Sequence, residues 1–426
     1  MKKVMLKTTL SLAVSLASCQ LFAAGFALNE QSISGMGTGF AGRSSSADDA
    51  STVYGNPAGM SRLKQQQVTG GIAVIDASTD INDASGSRRG TNKGDMVPFT
   101  AVPMGFYVKP IDEHWAFGLG VYAPFGLITD YESSFQGRNF GSKSEVKVIA
   151  FQPTISYAFN DRVSIGFGPT INHISGKLES TLNTPFSPND GKVQIKGDDI
   201  GYGYNIGLLV QATDSTSIGL TYHSKVKYTL DGHTEVTPGA GTNAAFIPEA
   251  RYDASLAIET PEVADLSVTQ KVNDAWTLYA GAAWTGWSRL KDITVNNDGV
   301  PAGARGLNGQ LFSTIKEEQN WHDTWAYAVG TSYQLNKQWV LRTGLTFDQS
   351  PTNNTDRSPR IPTGDRTIFS LGAGWSPSDN LTIDVAYSYL KEEKVNVNRS
   401  NQLGQAYNAQ YENSANGFGV GATYRF

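Results

Sequence analysis

Histidine side chains could bind a metal ion or move a proton, but their spacing in this chain argues against both roles. The five histidines are His114, His173, His223, His233 and His322, and they do not form a metal-ligand spacing. No Gly-x-Ser-x-Gly elbow and no glycine-rich phosphate loop accompanies them. We therefore predict no metal, no cofactor and no enzyme. A lipase with a Ser-His pair stays open as an alternative.

Charged side chains could instead hold a carboxylate ligand. Between Trp339 and Phe347 the apolar residues alternate with the others, so Arg342 and Asp348 fall on the opposite row. If the apolar row faces outward, these two charges face an interior, where they either contact a ligand or serve internal packing and solvation. Arg138, in the stretch Phe135-Gln136-Gly137-Arg138, is a further candidate.

A strand of a closed sheet would turn these side chains inward. The C-terminal residues show the alternation of apolar and other residues that is typical of such a strand. Every even position from Gly417 to Phe426 is apolar, and every odd one is small or polar. Side chains alternate across a strand, so this segment has one apolar face. A chain that ends on an aromatic after such a strand is typical of a bacterial outer-membrane barrel; a soluble sandwich is the alternative.

The N-terminus predicts the compartment. Lys2 and Lys3 precede an apolar run from Leu10 to Ala17, and Ala23-Ala24 offers a small-residue cleavage point. Residues 1–23 are therefore predicted to be a secretory signal peptide. Lipoprotein processing at Cys19 is an alternative; otherwise the mature chain contains no cysteine.

Composition narrows the class. The 426 residues contain no apolar run near 18 residues after the signal, which excludes membrane-spanning helices. The formal net charge of -5 gives no basic patch for nucleic acid.

The rest of the chain repeats a pattern of strand, short turn, strand and long polar segment. Turn residues form six short connections, near residues 109–112, 160–161, 214–215, 273–274, 336–337 and 377–380. Seven long loops are predicted between them, at 79–96, 126–142, 174–198, 230–253, 287–322, 349–364 and 392–414. This count predicts an all-β, fourteen-stranded antiparallel transmembrane barrel over residues 66–426, with both ends on the periplasmic side. Pro261 and Glu262 predict an irregular strand between Ala254 and Lys271.

Residues 24–65 fit no strand of this barrel. They are rich in small residues, and Phe26, Leu28 and Met60 are too apolar for a free tail. Since a fourteen-stranded lumen is too wide for side chains to fill, we predict that this segment folds inside it as a hatch. A disordered periplasmic tail is the alternative.

The third predicted strand, His114 to Phe125, contains Gly118, Gly120 and Pro124. Glycine weakens a sheet ladder and proline cannot donate to it, so these residues predict a break in strand pairing. An ordinary strand end would also explain Pro124.

Several segments together resemble the FadL family of outer-membrane transporters for long-chain fatty acids and other hydrophobic compounds. They are AGFALNEQS at the mature start, Asn56-Pro57-Ala58, and the segments 121–131, 201–209, 219–232, 284–291, 347–351 and 360–367. The resemblance spans nearly the whole mature chain and implies a barrel plugged by an N-terminal hatch.

The resemblance also implies a route. Hydrophobic molecules would be captured in an extracellular groove, pass to a lumen pocket, and leave through a lateral opening at the third strand after the hatch rearranges. Phe26, Leu28 and Asn56-Pro57-Ala58 would belong to the gating hatch. The groove candidates, in the segments 174–198 and 230–253, are Leu178, Leu182, Phe186, Phe246 and Ile247.

Substrate and partners follow as expectations from the same resemblance. The chain would act as a monomer in the outer membrane, in contact with lipid and lipopolysaccharide, after insertion by the barrel assembly machinery. Long-chain fatty acids are the expected substrates. Uptake of aromatic hydrocarbons by the same route and a general porin are the alternatives.

Overall fold

The computed structural model describes residues 25–184, 187–244, 247–301 and 307–426. The predicted signal peptide and Cys19 lie outside these residues. No helix in the described part of the chain is long and apolar enough to cross a membrane.

Within the described residues, nineteen strand segments form one sheet. They are β1 Gln67–Gly86, β2 Thr100–Pro110, β3 Trp115–Asp130, β4 Lys143–Ala158, β5 Val163–Thr184, β6 Ser187–Gln211, β7 Thr216–His223, β8 Val226–Thr237, β9 Ala250–Thr260, β10 Val263–Lys271, β11 Trp276–Thr285, β12 Asp292–Asn297, β13 Thr314–Glu318, β14 Thr324–Gln334, β15 Trp339–Asp348, β16 Arg366–Ser378, β17 Leu381–Glu392, β18 Val395–Ser400 and β19 Ala406–Arg425.

The sheet closes on itself as an antiparallel barrel of fourteen strands. β1 pairs with β19 from Gln67↔Arg425 to Gly86↔Tyr407, which joins the two ends of the sheet. Three of the barrel strands each consist of two segments separated by a break: β7 and β8, β9 and β10, and β17 and β18. β12 and β13 form a separate hairpin, in which β12 pairs with β9. The predicted fold class is therefore confirmed, and the irregularity at Pro261 and Glu262 is the joint between β9 and β10.

Alternation turns apolar side chains outward, as the sequence predicted. Phe418, Val420 and Tyr424 of β19 are exposed, as are Leu341 and Leu345 of β15. A charge on such a lipid-facing row costs about 2–4 kcal/mol near the midplane of the bilayer. The exposed apolar rows therefore fit a barrel that faces lipid.

The long loops were predicted wrongly in one respect, because several of them are largely strand. The segments 79–96, 174–198, 230–253 and 392–414 contain the upper parts of β1, β5, β6, β8, β9, β18 and β19. In a polar extracellular strand both faces can be hydrated, so hydrophobic alternation fades while backbone pairing continues. The barrel wall thus continues well past the membrane on its long-loop side.

The N-terminal segment lies inside the barrel and contains three short helical turns, Ile33–Gly37, Thr52–Gly55 and the 3-10 helix Pro57–Arg62. Ser32 caps the first of them, because its Oγ accepts a hydrogen bond from the Gly35 N–H at 3.1 Å. Leu28, Met36 and Met60 are buried in one cluster with wall residues such as Val102. This segment is called the hatch below.

Wall glycines allow the hatch backbone to touch the strands. At six of these glycines a β-carbon would clash with backbone atoms of the hatch. They are Gly166, Gly219, Gly281, Gly330, Gly344 and Gly372. Several are neighbours across the sheet, as Gly330 is of Gly344. The hatch therefore sits against a belt of glycines on the inner wall.

Candidate functional site

A large groove opens at the long-loop end of the barrel. Its cavity of about 630 Å³ is bounded by the β5–β6 hairpin and by the segment from β12 to β13. Leu178 and Leu182, both predicted for a groove, line it together with Ile195 and Phe312. Apolar side chains that line one concave surface are typical of a binding site for hydrophobic molecules.

The other groove candidates have different positions. Ile247 is fully buried and packs with Leu182, Val236 and Phe312, so it supports the groove from behind. Phe186 and Phe246 lie outside the described residues.

A second, almost wholly apolar cavity of about 60 Å³ leads inward from the groove. The two cavities share four lining residues, Leu178, Ile195, Ile293 and Val295. At its inner end are Ile174 and Leu230, which pack in one buried cluster with Phe26, Phe125 and Trp287. The groove and the interior are thus joined by continuous apolar packing.

The innermost cavity, of about 80 Å³, lies between the hatch and the wall and is called the lumen pocket. Its apolar side is formed by Phe125, Trp287 and Val226, and its polar side by Arg43 and Asn172 among others. Its full lining is Ala27, Leu28, Asn29, Arg43, Tyr54, Tyr122, Pro124, Phe125, Thr170, Asn172, Tyr204, His223, Ser224, Val226, Tyr228, Thr260, Pro261, Val263, Ala283, Thr285, Trp287, Ala326 and Asp348. A pocket with an apolar side and a few polar groups suits an amphiphile.

Arg43 is the hatch cation at this pocket, and sequence reasoning missed it. Its Nη2 donates to Oδ1 of Asn29 at 2.8 Å, and its guanidinium lies 5.1 Å from the centre of the Phe40 ring. The carboxyls of Glu30 and Asp265 lie within reach of its charge. A short helical segment without alternation gives no sequence signal for where such a side chain points.

The Asn-Pro-Ala motif fixes the hatch against β5 and β6. Asn56 is fully buried; its Nδ2 donates to the carbonyls of Ser44 at 2.6 Å and Leu208 at 3.0 Å. Its Oδ1 accepts from the Ala58 N–H at 3.0 Å and so caps the 3-10 helix, which begins at Pro57. A β-carbon at Gly207 would clash with this amide. The motif therefore joins hatch and wall as well as shaping a turn.

Strand pairing breaks in β3, although not at the predicted glycines. Gly118 and Gly120 still pair with β2, and a β-carbon at either would meet Val53 of the hatch. The β2–β3 ladder ends at Val121, and the register with β4 shifts between Tyr122 and Phe125. Pro124 lies in this break.

The hatch takes the place of β2 above this point. Ala27 forms a bridge with Phe125, the Leu28 N–H donates to the Pro124 carbonyl at 2.8 Å, and the Gly126 N–H donates to the Phe26 carbonyl at 2.9 Å. Phe26 and Leu28, both predicted hatch residues, thus flank an isolated bridge on the edge of β3. Above Val121 no ladder joins β2 to β3; this segment closes the wall there, and farther up the Asp130 N–H donates to the Met96 carbonyl at 2.6 Å.

The two inner-row charges of β15 point into the lumen, and each is paired there. Arg342 donates to Asp384 at 2.7 Å, and Asp348 accepts from Arg366 at 2.6 Å. Asp348 lines the lumen pocket, whereas Arg342 does not. Arg138 was placed wrongly among the lumen candidates: it lies between β3 and β4, where its Nε donates to Asp190 at 2.7 Å. A turn-rich segment outside the strands has no alternation to orient it.

The segment between β15 and β16 covers the lumen from outside. Ile361 joins the apolar cluster, and Arg360 donates to the Lys143 carbonyl and to Ser144 Oγ, each at 3.0 Å. Burial lowers the pKa of the nearby Arg357 to about 10. This cover helps to exclude water from the pocket. Within the described residues, no group of three or more His, Cys, Asp or Glu could hold a metal ion.

Closed antiparallel walls with apolar outer rows define an outer-membrane β-barrel, and the folded hatch makes it a plugged one. The chain belongs to the family of outer membrane protein transport proteins (OMPP1/FadL/TodX), which matches residues 14–426.

Curated and solved relatives span nearly the whole chain. It is 28% identical to the long-chain fatty acid transport protein of Escherichia coli O6:H1 (strain CFT073), covering 100% of this chain and 99% of that protein. It is also 28% identical to outer membrane protein P1 of Haemophilus influenzae, covering 96% and 95%. The crystal structure of a Pseudomonas aeruginosa FadL homologue superposes with a TM-score of 0.85 at 28% identity, covering 95% of this chain and 100% of that one. The Pseudomonas putida toluene transporter TodX shares the fold, with a TM-score of 0.67 at 17% identity over 96% and 100% of the two chains. Transport of hydrophobic compounds across the outer membrane is thus the activity of this family.

Proposed function

We propose that this protein carries long-chain fatty acids across the outer membrane. The molecule is captured in the extracellular groove, passes through the inner apolar cavity to the lumen pocket, and leaves sideways at the β3 break after the hatch rearranges. Water-filled porins offer apolar molecules no favourable environment, so a dry route lowers the barrier to their passage.

The observation that carries this proposal is the continuous apolar lining. Leu178 and Ile195 belong to both outer cavities, and the cluster of Ile174, Leu230 and Phe125 joins the second cavity to the lumen pocket. Each buried methylene contributes about 0.8 kcal/mol, so a long chain gains at every step along such a route. A general porin would need an open polar lumen, whereas here the hatch occupies it.

The polar side of the lumen pocket favours a carboxylate over a neutral hydrocarbon. Arg43 lines the pocket and donates to the neutral Asn29, so its guanidinium can also bind a carboxylate ligand, in competition with the nearby carboxyls of Glu30 and Asp265. One curated relative described above bears on this choice, since it is named for long-chain fatty acid transport. Toluene transporters resemble the chain in fold alone.

The β3 break supplies the exit in this proposal. Phe26 and Leu28 fill the wall there through two backbone hydrogen bonds to β3, far fewer than a full strand would make. Detachment of this segment would open the lumen pocket toward lipid, since Ala27, Leu28 and Pro124 all line that pocket.

The same proposal covers the processing of the chain, its division into hatch and barrel, and its surroundings in the membrane. Residues 1–23 are removed as a signal peptide, residues 24–65 act as the hatch, and residues 66–426 form the barrel. The protein works as a monomer among lipid and lipopolysaccharide, is inserted by the barrel assembly machinery, and catalyses no reaction.

The test compares oleate with toluene in cells that lack a transporter of their own. We expect Arg43→Gln to lower oleate uptake and leave toluene uptake unchanged, while Arg43→Lys retains most oleate uptake because it keeps the charge. An equal loss of oleate and toluene uptake in Arg43→Gln would show that Arg43 serves hatch packing, and it would contradict the proposed preference of the lumen pocket for carboxylates. Failure of the wild-type protein to take up either compound would overturn the proposed function.

A further inference from the structure

The barrel wall contains a second interruption, between β6 and the pair β7 and β8. The β6–β7 ladder ends at Asn205↔His223, and the β6–β8 ladder resumes at Asp198↔Asp231. Between them, residues 199–204 of β6 and 224–230 of the facing strands are all described and have no ladder pairing across the gap. We call this stretch the β6–β8 seam.

Side chains take over from the ladder at the seam. The last backbone bond runs from the Ser224 N–H to the Tyr204 carbonyl at 2.8 Å, and the Tyr204 N–H donates to Ser224 Oγ at 2.8 Å instead of to a carbonyl. Farther up, Asp199 Oδ2 accepts from the Thr229 N–H at 2.8 Å. In lipid, free backbone groups are costly, so these contacts hold the seam closed. They are also fewer and more easily exchanged than a continuous ladder.

The inner face of the seam is sealed by two side chains lying over glycines. A β-carbon on Gly201 would lie 2.5 Å from Cγ1 of Val226 and 2.6 Å from the Tyr228 ring, and one on Gly203 would lie 2.7 Å from Cγ2 of Val226. Both glycines thus leave room for Val226 and Tyr228, which are buried. A change of rotamer in these two side chains would uncover the seam without moving any strand.

The seam separates the lumen pocket from the outer surface. Its inner side chains Val226 and Tyr228 line the pocket, as do Ser224 and Tyr204. Tyr204 is also exposed on the lipid side, next to the strongly exposed Tyr202. Exposed tyrosines of this kind mark the interface between hydrocarbon and headgroups. The seam therefore lies between the pocket and the upper edge of the hydrocarbon layer.

The strand formed by β9 and β10, which pairs with β7 and β8, is interrupted at the same height in the wall as the seam. The sheet beside the seam is therefore less rigid there. Val226 pairs with Thr260 of β9, whereas His223 pairs with Val263 of β10. Pro261 and Glu262 separate the two segments. Proline offers no N–H to a ladder, so this joint bends more easily than continuous sheet.

We propose that the β6–β8 seam is a second lateral portal, through which long-chain monocarboxylates pass between the lumen pocket and the outer leaflet. The proposal rests on the proposed function and goes beyond it, since the β3 exit requires the hatch segment around Ala27 to detach. The seam opens instead by movement of Val226 and Tyr228. It gives the lumen pocket a release path that is independent of the hatch.

A disulfide across the seam tests the proposal. Gly201→Cys with Val226→Cys places the two sulfurs within reach: a Cβ at Gly201 would lie 2.5 Å from Cγ1 of Val226, and so at most about 4 Å from its Cβ, and disulfide-linked Cβ atoms lie about 3.5–4.5 Å apart. The matched control is Leu208→Cys with Leu220→Cys, which are paired neighbours lower on the adjoining strands. Uptake of oleate is measured in each variant oxidised and reduced, with disulfide yield read by mass spectrometry and folding by heat-modifiable migration.

We expect the oxidised seam variant to take up oleate several-fold more slowly than its reduced form, and the control pair to show no such difference. Equal rates in the oxidised and reduced seam variant, at full disulfide yield, would overturn the portal while leaving the proposed function intact. Lack of oleate uptake by the wild-type protein would overturn both.

A single substitution provides a second test that needs no disulfide. Ser224→Cys is nearly isosteric and places a thiol in the seam, where a lipid-soluble maleimide can label it. Saturating oleate should slow this labelling several-fold if the chain passes the seam, while a cysteine at Leu220 should label at the same rate with and without oleate. Unprotected labelling of Ser224→Cys, in protein that binds oleate, would contradict the proposal.

Discussion

Replacing Asn56 and Pro57 with alanine should loosen the hatch and leave the barrel folded. The Asn56 side chain makes three hydrogen bonds, two within the hatch, to Ser44 and Ala58, and one to the wall, at the Leu208 carbonyl. A buried hydrogen bond contributes about 1 kcal/mol net, so loss of the bond to Leu208 costs hatch docking about 1 kcal/mol. The strands pair with one another without these residues, so the wall persists.

That free energy predicts the size of the effect. Every 1.4 kcal/mol is a factor of ten, so the undocked population should rise roughly fivefold. A Ser45→Cys reporter measures it, because Ser45 is 4% exposed and its hydroxyl contacts Thr269 of the wall at 2.7 Å. When the docked hatch protects the thiol, its labelling by a water-soluble maleimide follows the undocked population.

The matched control is Ser61→Ala, which removes one partly buried hydrogen bond in the same 3-10 helix, to the Ala58 carbonyl. It should change labelling little. We also expect the double variant to show impaired oleate uptake at normal surface expression and greater leakage of small polar solutes. Unchanged labelling, uptake and conductance in the folded double variant would refute the gating role and leave the motif as a structural turn.

Three further predictions concern other parts of the molecule. Deleting Phe426, whose N–H donates to the Gln66 carbonyl at 2.9 Å, should reduce the amount of heat-modifiable barrel in outer membranes; unchanged folding would show that the terminal aromatic is dispensable. Leu178→Asp should weaken oleate binding roughly tenfold to a hundredfold, since a buried leucine contributes about 1.5–3 kcal/mol, and Leu403→Asp at the groove rim serves as the control in a titration. Protease added to intact cells should cut within 287–322 and spare the turn at Asn336-Lys337; cleavage at that turn would invert the topology.

The barrel could be predicted because its signals are local. Alternation in a single strand, as from Gly417 to Phe426, places each side chain on one face without knowledge of its neighbours. The same alternation turned Arg342 and Asp348 inward. Short turns such as Asn336-Lys337 fixed the strand count and the closure.

The path through the barrel could not be predicted from local alternation, because it depends on packing between residues far apart in the sequence. Gly118 in a strand predicts weak pairing, yet it pairs normally with β2 and leaves room for Met60 of the hatch. The orientation of Arg43 depends on how the hatch docks. The only sequence signals of the β6–β8 seam are Gly201 and Gly203, and two glycines in a strand do not predict a gap in its pairing.

The central claim is a dry route for hydrophobic molecules through a plugged barrel, and purified protein in planar bilayers and in oleate-binding assays tests it most directly. We expect saturable binding of oleate, weakened by Leu178→Asp, together with little steady ion conductance. Steady conductance at the level of a general porin, with no binding of oleate, would contradict it.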